Sequence, residues 1–318
     1  TVVWLVAFCA VNRVVQFGFV SQAIDPLGIA IVHTAFNVLC TALLFPFAGL
    51  LEKLVCKLIP DAETPDTIQI LDERLIATPS VAIARCVEVA GSMAQISMDA
   101  MRTACGTLKA FDPKTAQAIR EIEEEVDQYE DMLGTYLVKL SAMDLSAGDS
   151  RQTAKVLHLI SDFERIADHA VNVLESAEEM ANKGLSFSAA AKKELDVLLA
   201  AVMEIMELAL AAFLENDVTR ATAVEPLEEV VDTLKEQLRS RHILRLQRGE
   251  CTIELGFVWS DLLTCLERVS DHCSNIAGCV IEMSHDSMDI HGRLDSVRAG
   301  SPGFLKAYDA YARKYAIM

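Results

Sequence analysis

Two long apolar runs open the chain, and beyond residue 78 apolar positions recur every three to four residues almost to the end. The two patterns call for two different solvents. Residues 1–20 hold one charge, Arg13, and residues 27–51 hold none with His33 neutral. A bilayer core takes about 20 apolar helical residues, so each run is long enough to span. Ser21–Pro26 reads as the turn between them. The first run lacks the charged start and small-residue cleavage site of a signal peptide. The pattern therefore predicts a transmembrane helical hairpin over residues 1–59.

A polar, Pro-containing linker follows over 60–77. Beyond it the apolar period is close to 3.6, the mark of amphipathic helix. Helices are expected near 80–110, 114–142 and 150–182, then near 188–214, 217–247 and 252–284. The breaks between them are Thr78-Pro79-Ser80, Asp112-Pro113, the turn Leu145–Asp149, and Lys183-Gly184. The expected fold class is all-α: a membrane hairpin, a three-helix bundle over 78–184 and a second over 185–284. A tail over 285–318 ends in a short aromatic helix (Phe304, Tyr308, Tyr311, Tyr315) that docks on a bundle.

The two bundles look like copies of one another. The phrase E-R-x-x-D-H-x-x-N runs from Glu164 to Asn172 and again from Glu267 to Asn275. A second doublet, Glu123-Glu124 with Asp127, returns as Glu228-Glu229 with Asp232. The offset is 105 residues in the middle helices and 103 in the third helices, a difference that an intervening turn absorbs. Internal repetition of this length decides the architecture before any single motif does.

Charge separates the regions further. Residues 1–60 have two acids (Asp25, Glu52) and three bases (Arg13, Lys53, Lys57), a net of +1. The whole chain has 46 acids and 28 bases, so the remainder has 44 and 25, a net of -19. That split explains how a mean hydropathy of +0.29 coexists with a net charge of -18. An acidic body offers no excess of cations to replace phosphate counterions, which argues against nucleic acid. Lys53 and Lys57 follow the second run, and positive residues favour the cytoplasmic side. Residues 60–318 are thus expected in the cytoplasm. Nine scattered cysteines without a C-x-x-C suit a reducing compartment better than a disulfide framework or a zinc ribbon.

The repeated acids are the candidate chemistry. Carboxylates at i and i+4 share a helix face about 6 Å apart at Cβ and repel mildly unless a cation lies between them. Each bundle supplies one pair from its second helix and one from its third. Two quartets result: Glu123, Asp127, Glu164 and Asp168, and Glu228, Asp232, Glu267 and Asp271. Oxygen donors of this kind suit hard or borderline metals. A solvated acidic face gives the same spacing, and Arg165 and Arg268 offer neutralisation without metal. His169 and His272 follow the aspartates and point about 100° away from them, toward a neighbour rather than the same ion. The Glu-x-x-His signature of di-iron bundles is absent at these places. No nucleophile–base set stands out, so catalysis is not expected. In the second apolar run His33 and Asn37 lie on one face; polar groups at membrane depth bond between helices or line a path.

Longer motifs point to a family. GIAIVHTAFN (Gly28–Asn37) followed by Phe45-Pro46-Phe47 closely resembles the last membrane helices of bacterial sodium-dependent phosphate cotransporters. Leu71-Asp72-Glu73-Arg74 with Thr78-Pro79-Ser80 matches the join to their cytosolic PhoU-like domain. YEDMLGTYLVKLS (Tyr129–Ser141), SRHI (Ser240–Ile243) and GECTIELGF (Gly249–Phe257) resemble that domain in its clostridial branch. The resemblance implies a PhoU-like pair of three-helix bundles whose E-x-x-x-D motifs bind iron or zinc clusters, at the eight acids named above. It implies inorganic phosphate and sodium as the full protein's cargo and coupling ion, a bilayer around the hairpin, and phosphate-signalling proteins as partners. The Gln-Ser-Ser transport motifs of that family are absent (Ser21-Gln22-Ala23 is not one), so an upstream membrane part is expected to complete the transporter. The rival expectation is a membrane-tethered adaptor of phosphate homeostasis that transports nothing; a metalloenzyme is a third.

Overall fold

The computed structural model of the chain describes residues 12–18, 26–44, 71–283 and 302–317. The chain divides into two units, Thr1–Thr67 and Ile68–Met318. In the first, helix α1 spans Pro26–Leu44 and has neither an acid in its first turn nor a base in its last. It covers most of the second apolar run; the greater part of the first run, and the turn after it, lie outside the described residues. His33 and Asn37 are both exposed on α1, and the Asn37 amide lies 3.3 Å from the His33 ring nitrogen. The two therefore bond to each other, one helical turn apart.

Among its described residues the second unit consists of helices joined by short turns and has no strand. A 3-10 turn, Glu73–Ala77, leads into α2 (Pro79–Thr107), α3 (Pro113–Ser141) and α4 (Ala147–Lys183). A second set follows: α5 (Ala189–Glu215), α6 (Val218–Gln247) and α7 (Ile253–Met283). Each start has a local cause. Asp112, Ser146, Ser188 and Asp217 each accept a hydrogen bond from a backbone N–H of the first turn, worth about 1 kcal/mol apiece. Ser146 accepts from Asp149, and this moves the start of α4 to Ala147, three residues before the expected boundary.

The ends of α4 and α5 are equally specific. Gly184 is left-handed at φ 63, and the Leu185 N–H returns to the Met180 carbonyl. In the second repeat Asn216 does the same at φ 51, with Asp217 bonding back to Ala212. Both are six-to-one helix closures that need a residue tolerant of positive φ. Gly184→Ala is expected to lower stability by about 1 kcal/mol, read as a lower urea midpoint at unchanged slope.

Apolar stripes join the helices into two bundles. In α4 the buried positions Val156, Leu159, Phe163, Ile166, Ala170, Val173 and Ala177 follow the 3.6 period. Helices α2, α3 and α4 pack together, as do α5, α6 and α7, and the α4–α7 and α2–α5 faces join the bundles into one core. Helix α4 meets α7 antiparallel: Lys155 lies near Glu282, Asp162 near Asn275 and Glu175 near Cys265. The thiols of Cys86, Cys105 and Cys279 are unpaired in this core, and burial pushes each to about 12. Two core helices, Pro79–Thr107 and Ala189–Glu215, are long and apolar enough to cross a membrane, yet about half of each apolar window is buried inside the unit.

The aromatic tail helix, α8 (Pro302–Lys314), packs on α6. Tyr308 meets Thr233 at 3.4 Å, Lys314 pairs with Glu204 at 2.6 Å, and Arg241 donates to the Ile317 carbonyl. The Tyr315 hydroxyl donates to Glu204; burial first, then that carboxylate, push it up to about 12.

Candidate metal centre

The acid pairs lie where each bundle's second and third helices face each other. Glu228 and Asp232 stand one turn apart on α6, and Asp271 faces them from α7. Among the described residues, these three offer carboxylate oxygens all within 4.8 Å of one another. Glu228 is buried, and the other two are half-buried. Burial pushes the Asp271 carboxyl up to about 6, with Glu267 and Asp232 adding to the rise and His272 and Lys235 opposing it. The fourth acid, Glu267, is engaged by the Lys235 ammonium at 2.8 Å.

The first quartet is built alike but closes less. Glu123 and Asp127 on α3 face Glu164 and Asp168 on α4. Glu123 is raised by burial and then by Asp168, Asp127 and Glu124. Glu164 is raised by burial and then by Glu130, with Asp168 and Asp127 adding; Arg165, at 3.5 Å, lowers it. These oxygens do not gather within 4.8 Å as the second set's do. The difference has a residue-level reason. Position 130 is the repeat equivalent of 235, so a fifth carboxylate stands where the second quartet has an ammonium.

The histidines of the repeated phrase serve the joint between bundles. Their rings lie 5.7 Å apart, His169 on α4 and His272 on α7. The His272 Nδ1 is 2.9 Å from Asp162, which also accepts from Asn275 at 3.2 Å. The repeat equivalent of Asp162 is Cys265, so His169 gains no such carboxylate; its buried Nδ1 has no hydrogen-bond partner. Burial, then His272, hold the His169 imidazole below its ordinary value. Neither ring joins the oxygens of its neighbouring quartet, as the 100° rotation between successive positions predicted.

The repeated stretches are matched by one family description. The model of the PhoU domain matches residues 91–177 and again 195–280, the two bundles in turn. The chain belongs to the PhoU domain family. Among its relatives is YjbB of Salmonella typhimurium, named as an inorganic phosphate export protein, 24% identical over 79% of this chain and 47% of that one. The chain thus spans about half the length of this relative. The phosphate-specific transport system accessory protein PhoU homolog 1 of Thermotoga maritima is 27% identical over 58% of this chain and 74% of its own. Crystal structures of PhoU from Pseudomonas aeruginosa and Streptococcus pneumoniae share the fold, with TM-scores of 0.61 and 0.59 at 23% and 17% identity. They cover 67% and 66% of this chain, and 100% and 98% of their own.

Within this PhoU pair, sequence reading missed Lys235 and Asp162. Lys235 lies three residues after Asp232 and thus one turn along the same helix face. That spacing was available; what it lacked was the facing position of Glu267. Asp162 bonds across the joint to α7, 110 residues away in sequence at His272, and no local pattern announces it.

Proposed function

We propose that this chain is the C-terminal part of a sodium:phosphate symporter, in which a PhoU pair senses a divalent cation on the cytoplasmic side and controls phosphate movement through the membrane part. The closure of Glu228, Asp232 and Asp271 to within 4.8 Å carries the reading. Like charges brought together from two helices are costly, and Asp271 already holds its proton up to about pH 6. A cation between them removes that cost. The donors are carboxylate oxygens, which suit iron(II) and other hard or borderline ions; zinc is the weaker fit without nitrogen or sulfur. The first quartet, with Glu130 as a fifth acid beside it, calls for more positive charge than the second, where Lys235 already supplies one. Iron or zinc clusters, sodium coupling and phosphate as cargo are parts of this proposal, as is the bilayer around α1. The chain's role at the quartets is binding rather than catalysis.

The test is sodium-driven phosphate movement by the full-length protein in vesicles, with and without residues 61–318, together with elemental analysis of the purified chain. Uptake that persists after deletion but no longer responds to metal supports regulation. Uptake and control that are both unchanged exclude it, and a full-length protein without sodium-dependent uptake leaves the tethered adaptor. Asp232→Ala with Asp271→Ala is expected to remove one site's metal while leaving the first quartet's.

A further inference from the structure

A groove of about 510 Å³ lies between the second half of α6 and the first half of α7, at the end of their hairpin. Its lining includes Lys235, Arg239, Ile243, Ile253, Phe257 and Leu263, and no lining residue is acidic. That absence stands out in a region whose net charge is -19. Phe257 is 68% exposed and Ile253 74%. Large apolar side chains held open beside cations form a surface, not a core.

The floor is buried and contains unmet polar atoms. His242 and Trp259 are 5% and 1% exposed, and both line the groove. Their rings stack at 5.7 Å, and the Arg245 guanidinium lies 5.4 Å from the indole centroid. Arg245 is fixed in turn by Glu194 at 2.7 Å. The His242 Nε2 and the Trp259 Nε1 are buried without a hydrogen-bond partner. An indole N–H only donates, and leaving it unmet costs about 1–3 kcal/mol.

The groove is not a by-product of the duplication. At the repeat-equivalent positions the first bundle has Glu130 for Lys235, Gly134 for Arg239, Leu137 for His242, Ala154 for Phe257 and Val156 for Trp259. Both cations and all three rings belong to the second copy alone.

We infer that this groove seats an acidic amphipathic helix of a partner protein. The occupant's apolar face rests on Ile243, Ile253 and Phe257, and its carboxylates meet Arg239. Lys235 is already committed to Glu267 at 2.8 Å, whereas Arg239 reaches its own neighbour Glu236 only at 3.9 Å and is largely exposed. A trough between two helices with apolar walls and a cationic edge fits helix-in-groove recognition. The inference is independent of the metal reading, since none of these contacts uses a quartet carboxylate.

The test uses the full chain in nanodiscs of neutral lipid and two fluorescein-labelled synthetic helices of about five turns (~18 residues). Both helices have one leucine face; one is flanked by glutamates and the other by lysines. Anisotropy is expected to show binding of the glutamate helix only. Phe257→Glu and Arg239→Glu should each weaken it about tenfold or more, and Phe257→Leu should retain it. With Trp4→Phe, Trp259 is the sole tryptophan, and its emission should shift on binding. Circular dichroism establishes that the variants are folded. Equal binding of both helices, binding of neither, or indifference to Phe257→Glu overturns the inference. So does a Phe257→Glu change that instead splits an oligomer or abolishes attachment to anionic vesicles, which would assign the groove to a second copy or to lipid.

Discussion

Asp271→Asn is expected to stabilise the metal-free protein at pH 7.5 while abolishing its stabilisation by a divalent cation at the second quartet. The Asp271 carboxyl sits at about 6 in the fold against 3.8 for the ordinary group. Folding therefore binds a proton between those values. The penalty is complete above pH 6, falls as pH drops through 6, and is gone near 3.8. Because the group is only half-buried, solvent screening reduces the benefit of removing its charge to about 1 kcal/mol. For a body of this size that raises the melting temperature by about 2–4 °C. A cation at 100 times its dissociation constant should stabilise the natural protein by about 2.7 kcal/mol, and the variant much less. Lys235→Gln should act in the opposite sense, destabilising the metal-free protein and tightening metal, because Glu267 loses its tethered cation. Differential scanning fluorimetry across pH 4–8, with and without iron(II) or manganese(II), reads all three. Parallel pH profiles for the natural protein and Asp271→Asn would remove the electrostatic basis of the site.

Phe163→Ala is expected to cost the fold about 3–5 kcal/mol. The ring is fully buried on α4 and meets Phe213 of α5 at 5.2 Å and 51°, so one pair joins the two repeats. Truncation deletes the ring and leaves a cavity that the packed helices around it cannot close without shifting. Against a typical total of about 5–15 kcal/mol, the loss is a fifth or more. Urea unfolding followed by circular dichroism measures it. A shift below about 1 kcal/mol would mean that the repeats are not coupled through this contact.

The helices were legible because each bundle helix hides one stripe and wets the other, and the breaks at Asp112-Pro113 and Gly184 are chemically unambiguous. The start of α4 was misplaced because Ser146 looks like part of a polar turn until its hydroxyl is seen to accept from Asp149. The eight acids could be singled out as candidates because duplication repeats what one copy leaves ambiguous. Their inequality was not. It depends on Glu130 against Lys235, where the copies diverge, and on what each faces, Glu164 on α4 and Glu267 on α7. The histidines followed the same rule: their direction away from the quartets was readable from helix geometry, but Asp162 and Cys265 as unequal counterparts needed the antiparallel meeting of α4 and α7. The groove at Phe257 was invisible because its parts come from two helices and its meaning lies in what the first repeat lacks.

The sulfur atoms sealed between the helices give the bundles a clock. Thiolate is the nucleophile, and Cys86, Cys105 and Cys279 hold their protons until about pH 12 while enclosed. An alkylating reagent can therefore consume them only during moments when helices part. Labelling, mapped cysteine by cysteine, times separately the opening of the first bundle, which holds Cys86 and Cys105, and of the second, which holds Cys279.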